Sequence, residues 1–164
     1  MTASVLGSHT AVWKAWEDAG LDAQFKALWK AEFDQDDWQV LENEDAAPHH
    51  PFPYCVYECG NPKVTGRMSY DAASKRETRD ELGTFTVHAE KVDGDSRSAK
   101  EIAADLIDEV MKVFGGHPDV APTAPDQEGF LLAQYQTDYP THTELYKWSW
   151  TVTYLFRTDA KVAV

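Results

Sequence analysis

The sequence predicts an α+β fold: one mainly antiparallel sheet of four to five strands with two helices packed on one face, in the order helix, strands, helix, strand, strand. Three observations predict it. Residues 145–156 read Leu-Tyr-Lys-Trp-Ser-Trp-Thr-Val-Thr-Tyr-Leu-Phe, which sets Tyr146, Trp148, Trp150, Val152, Tyr154 and Phe156 on one face and Lys147, Ser149, Thr151 and Thr153 on the other. A period of two in aromatic and β-branched residues is that of a half-buried strand. A second alternation sets Phe85, Val87 and Ala89 against Thr84, Thr86, His88 and Glu90. Between the two lies a helical stripe of Ile102, Leu106, Val110 and Val113, widened by Ala99, Ala103, Ile107, Met111 and Phe114. Strands and helices that are grouped in this way pack as one sheet with a helix layer.

In chain order, residues 9–33 read as helix in two pieces broken at Gly20. Val12, Trp13 and Trp16, then Leu21, Phe25, Leu28, Trp29 and Phe33, recur at steps of three and four, and Asp22 is placed to cap the second piece. A short extended segment at 38–41 precedes a proline-containing loop at 46–53, which runs into a strand over 54–58. Asn61-Pro62 signals a turn before a second strand over 64–70. Residues 71–82 hold Lys75, Arg76 and Arg79 among acids, with almost no apolar residue, and read as a charged mobile loop. Ser98 and Glu101 form a capping box at the start of the 98–114 helix, which Gly115-Gly116 ends. After a connector at 117–128, a long hairpin over 129–157 has a strand at 130–137, a turn at 138–143 and the aromatic strand returning from Glu144.

At 164 residues the chain is expected to form one domain, 1–164. No apolar run reaches 18 residues, so no helical membrane span is expected, and Met1–His9 does not read as a secretion signal. Cys55 and Cys59 lie on one predicted strand about 13 Å apart, too far to bridge each other. Two free thiols fit a reducing compartment. The net charge of −13 argues against a clamp on nucleic-acid phosphates. The charge is uneven: no Lys or Arg occurs between Ala31 and Pro62, where Glu32, Asp34, Asp36, Asp37, Glu42, Glu44, Asp45 and Glu58 all fall. Such a run is foremost a solvated face.

No nucleophile–base set and no phosphate loop is present, so no catalytic or cofactor-binding residue is assigned, and no enzyme activity or cofactor is expected. His49, His50, Cys55 and Cys59 lack the paired tight-turn spacing of a zinc site, and the cysteines read as core thiols. His88 and His142 read as surface residues. The acids at 32–45 lack calcium-loop spacing, so no metal residue is assigned either. The aromatic stripe has three readings: core beneath the helices, an anchor between subunits, or the wall of a ligand pocket. A twelve-residue strand spans about 40 Å against a typical 17–20 Å, which favours contact with other subunits over a pocket. Tyr139, Pro140, Tyr146 and Trp148 are the candidate interface, and Lys75, Arg76 and Arg79 the candidate mobile basic loop.

Three stretches carry a family resemblance. An N-terminal helix leads through the proline-containing loop into Pro53-Tyr-Cys-Val-Tyr-Glu58. The strand Phe85-Thr-Val-His-Ala is followed by Ser96-Arg-Ser-Ala-Lys-Glu-Ile-Ala-Ala-Asp-Leu-Ile-Asp-Glu-Val110. Two closing strands end in Trp148-Ser-Trp-Thr-Val-Thr-Tyr-Leu-Phe156. Over about residues 10–157 this layout resembles the tail terminator (tail completion) proteins of long-tailed bacteriophages. The resemblance implies a virion protein, assembled in the host cytoplasm, that forms a ring, usually a hexamer, at the head-proximal end of the tail tube. Such a ring stops tube polymerisation, offers a surface to head-joining or neck proteins, and lets DNA pass without specific binding. Another head–tail joining subunit, a small-molecule-binding or enzymatic α+β domain, and an acidic mimic of DNA are the other readings of the same features.

Overall fold

The computed structural model describes residues 9–42, 46–69, 75–115 and 129–162; for 61–69, 75–77, 129–132 and 158–162 the description is of backbone alone. The elements are α1 (His9–Asp18), α2 (Leu21–Lys26), β1 (Leu41–Glu42), β2 (Tyr54–Ser69), β3 (Lys75–Glu90), α3 (Ala99–Phe114), β4 (Gly129–Glu144) and β5 (Lys147–Val162). They form an α+β fold around one five-stranded sheet of order β1-β2-β3-β5-β4. The β2–β3, β3–β5 and β4–β5 ladders are antiparallel, and the two-residue β1 joins β2 in parallel at Cys55 and Val56.

The core lies on one face of the sheet. Cys55 and Tyr57 of β2, Phe85, Val87 and Ala89 of β3, and Val152, Tyr154 and Phe156 of β5 form one buried cluster with residues of the three helices. α3 supplies Ile102, Ala103, Leu106, Ile107, Val110 and Phe114, the stripe its sequence period requires, with Val113 only partly buried. Its start carries the expected capping box: Ser98 accepts from the Glu101 N–H at 3.2 Å, and Glu101 accepts from the Ser98 N–H at 2.7 Å.

Several boundaries differ from the sequence reading. The 9–33 helix ends at Lys26, and Gly20 itself caps α2 in a left-handed conformation (φ 66°) that a side chain would resist. Asp22, read as the cap, instead accepts a hydrogen bond from Trp16 Nε1 at 2.5 Å. The two strands expected over 54–58 and 64–70 are one strand, β2; Asn61 and Pro62 fall in a register shift between Gly60 and Lys63, not in a turn. The charged loop expected over 71–82 is strand from Lys75 onwards, while 71–74, like Tyr70, Gly116 and the connector 117–128, lie outside the described residues. A lack of apolar residues there misled, because strand pairing over 75–82 is secured by neighbours on both sides, including a bidentate Arg157–Asp80 ion pair at 2.7 and 2.9 Å.

Each long strand has 16 residues, about 53 Å of extended chain, whereas the 16 residues of α3 span about 24 Å. The sheet therefore runs well past the end of α3, whose last turn packs Phe114 on Phe85 and Phe156. The β3–β5 ladder pairs from Lys75↔Val162 to Glu90↔Lys147 without a shift, whereas the β2–β3 and β4–β5 ladders carry two and three. Irregularities concentrated on the outer strands blunt the edges against open-ended pairing.

Candidate functional site

β4 and β5 are joined by Leu145 and Tyr146, which places the hairpin tip there and corrects the turn expected at 138–143. Asp, Pro and His at 138–142 read as turn residues, but Pro140 lies within the edge strand β4, where its missing N–H is tolerated. Tyr146 has φ 64°, the one positive value at a non-glycine among the described residues. That conformation brings Cβ against the backbone and costs about 1–2 kcal/mol. The tip is tied to the body through the Lys91 N–H, which donates to the Tyr146 carbonyl at 2.9 Å, and Glu144 pairs with Lys147 across its base at 3.2 Å. Leu145 is 74% exposed and Tyr146 67%.

The other predicted interface residues separate. Tyr139 pairs with Thr151 on the sheet face away from the helices and is half exposed. Pro140 lies opposite Trp150. Trp148 is not free at the tip: its ring packs on His142, with centroids 4.8 Å apart, and beneath Lys100 Nζ at 5.0 Å. His142 is thus a strand residue rather than a turn residue. Trp150 is half-buried against the core and donates through Nε1 to Asp138 Oδ1 at 2.9 Å. The Tyr135 hydroxyl donates to the other oxygen of Asp138. Leu145 was missed because a two-residue turn without Gly or Asn leaves no sequence signal, and Asp138 because it read as a turn residue although it pairs with Val152 inside β4.

Of the expected basic loop, Lys75 pairs with Ser69 and Val162, Arg76 with Met68 and Lys161, and Arg79 with Val64 and Thr158. These residues belong to the inner strand β3, so they do not form a mobile loop.

The face of the sheet opposite the helices is rich in hydroxyls that bond one another. Thr84 and Thr153 are 3.3 Å apart and Thr86 and Thr151 3.1 Å. His88 lies flat on Tyr54, with centroids 4.8 Å apart. Such pairing holds strands together.

Among the described residues, two of the clefts lie on the helix side. One of about 410 Å³ between α2 and α3 is lined in part by Arg97, Asp105, Glu109 and Lys112. Its arginine is already engaged: Nε and Nη2 bond the Asp95 carboxylate at 3.1 and 2.7 Å, and Nη1 bonds Asp105 at 2.7 Å. These hydrogen bonds raise the Arg97 guanidinium above its ordinary range, and the same Arg97 bonds pull Asp95 down to about 2. A cation already shared by two carboxylates is a poor anion receptor. The second cleft, of about 240 Å³, is lined by Leu28, Trp29, Lys30, Glu90 and Val92, among others.

His50, which the sequence grouped with His49 and the cysteines, is buried among Trp29, Trp38 and Tyr54. Its Nδ1 is 2.7 Å from the Pro51 carbonyl and its Nε2 2.7 Å from that of Gln39, so it ties the 46–53 loop to the segment before β1. Cys55 is buried, and desolvation pushes its thiol far up. Among the described residues no three or more His, Cys, Asp or Glu side chains gather in a metal-binding group.

Fold and site together define a class: an α+β protein whose long sheet outruns its helices and ends in an exposed Leu-Tyr tip. The chain matches no protein-family model and no curated protein.

Proposed function

We propose that this chain is a structural subunit of a long-tailed phage, forming a ring at the head-proximal end of the tail tube, ending tube growth and presenting the surface to which head-joining proteins bind. The observation that carries this reading is the sheet: strands of about 53 Å beside a helix of about 24 Å. A sheet that long offers more side-chain and edge surface than the α3 layer covers, and a neighbouring copy is a natural occupant of it. The layout of strands around the capped helix adds to this, since it is what the terminator resemblance leads one to expect.

Charge is consistent with the role. A ring through which a genome passes must not hold phosphates, and a subunit of net charge −13 repels them. In this reading the protein carries out no reaction, binds no cofactor, and has as partners its own copies, the tube protein and a neck protein.

The test is to add the purified chain to tail tubes growing from the tube protein encoded beside it. Electron microscopy is expected to show a ring on one end of each tube and tubes that stop lengthening. Tubes that lengthen as before with bare ends overturn the proposal.

A further inference from the structure

Charge is sorted along the length of the sheet. Past Phe156, on which the last turn of α3 packs, β2, β3 and β5 continue from the row Lys63–Asp80–Arg157 to the row Ser69–Lys75–Val162. Residues 63–80 and 157–162 hold seven of the 15 Lys and Arg and four of the 28 Asp and Glu. That is a net +3, which leaves −16 for the rest of a chain whose total is −13. Within this basic end Arg76 and Lys161 are direct cross-strand partners. Like charges set opposite each other weaken a ladder, and an anion laid across them removes that cost.

The acidic end is at the other pole. Glu32, Asp34, Asp36 and Asp37 are all exposed, and among the described residues no ion pair joins any of them to a cation. The lysines nearest in sequence are engaged elsewhere: Lys26 Nζ donates to the Gln35 carbonyl, and Lys30 pairs with Glu90. The segment that carries these acids is fixed to the start of β2, where the Cys55 N–H donates to the Val40 carbonyl at 2.9 Å and Leu41 pairs with Cys55. From Cys55 to Arg67 is about 40 Å of one strand. A single copy therefore cannot bring its basic end to its own acidic end. Salt also screens the two from each other, because the Debye length is only about 8–10 Å.

We propose that the basic sheet end of one copy lies against the 32–37 segment of the next copy. This rests on the ring reading above and names its contact. The two surfaces are different, so the contact is heterologous, the kind that closes a ring or continues as a chain. Complementary charge at such a contact sets register and partner choice. Duplex DNA is the other anion that a basic face could hold. Its unbroken line of phosphates runs past an end of +3 into the −16 of the body, whereas the acidic segment is short enough to meet the basic end alone.

Charge reversal tests it. Arg76→Glu with Lys161→Glu reverses the sheet end and keeps two like charges opposite each other, so the ladder is unchanged in kind. Asp36→Lys with Asp37→Lys reverses the acidic end at exposed positions, and their backbone N–H bonds to Asp34 stay. Circular dichroism melting checks that both fold. A sheet-end variant that does not fold is replaced by Arg76→Gln with Lys161→Gln, which is expected to act in the same direction. In sedimentation velocity at low salt the unaltered chain is expected to self-associate, and to do so less at about 0.5 M salt. Each variant alone is expected to associate roughly tenfold more weakly or worse. For the lysine variant this runs against its lower net negative charge. The chain with all four changes keeps the parent net charge of −13 and has complementary ends again, so its association is expected to recover. An equimolar mixture of the two variants is expected to recover as well. A four-change chain and a mixture that stay as weak as the single variants overturn this contact and leave the ring reading standing. An unaltered chain that stays monomeric throughout also overturns the contact, while capping of tail tubes is judged by its own assay. Binding of a labelled DNA duplex that is lost with Arg76→Glu and Lys161→Glu, while self-association persists, overturns it in favour of DNA.

Discussion

The indole N–H of Trp150 reaches across the β4–β5 ladder to Asp138 Oδ1 at 2.9 Å, and so pins the edge strand to its neighbour. The Tyr135 hydroxyl, first, and this N–H, second, hold the Asp138 carboxyl below the usual carboxylate range. A carboxyl that is lower in the folded state gives stability that is present above its unfolded value of about 3.9 and lost as pH falls through the folded value. Trp150→Phe keeps most of the ring packing and removes the donor. It is expected to lower stability by about 1 kcal/mol at pH 7, and by less at pH 3, in urea unfolding at both pH values.

Tyr154 is buried, and among the described residues its hydroxyl has no hydrogen-bond partner. Burial pushes its phenol up to about 12. A raised phenol gives stability that is whole below the unfolded value of about 10 and is lost as pH rises through the folded one. Tyr154→Phe removes a buried polar atom that makes no bond among the described residues, so stability at pH 7 is expected to hold or rise by about 1 kcal/mol. The variant is also expected to lose less stability than the parent between pH 10 and 12, as thermal melts across that range will read.

Gly83 lies where the Phe156 ring crosses β3. A Cβ added there would stand 2.5 Å from Phe156 Cδ2 and 3.0 Å from the Tyr57 hydroxyl. Gly83→Ala is expected to cost about 1–3 kcal/mol through overpacking. Phe156→Leu in the same chain is expected to cost less in the Gly83→Ala background than alone, and a double-mutant cycle measures that coupling.

The Asp95–Arg97 clamp predicts an acid response of its own. With Asp95 near 2, its support for the loop before α3 is present above about 3.9 and fades below it. Asp95→Asn is expected to flatten the fall in melting temperature between pH 4 and pH 2, as calorimetric scans will record.

Elements in which one face is buried were the most legible in the sequence. α3 declared both its stripe and its Ser98–Glu101 cap, and Phe85–Ala89 and Val152–Phe156 declared the inner strands. Where strands run beyond the helices the alternation disappears, because neither face need be apolar. Residues 75–82 therefore read as a loop although both flanks are paired. The tip was misplaced for a related reason. Pro140 is a turn signal by local chemistry, but an edge strand accepts it, whereas the true turn is made by Leu145 and Tyr146, which no turn preference selects. Of the candidate site, Tyr146 stood out in the sequence as part of the aromatic alternation; its place in the two-residue turn and its left-handed backbone exist only in the fold.

The central claim, that this chain ends the growth of a tail tube, is tested most directly by electron microscopy of lysates in which phage particles assemble without it. The account predicts overlong tubes and separate, DNA-filled heads, with normal particles restored when the chain is supplied again. Tails of normal length joined to heads in its absence would contradict it.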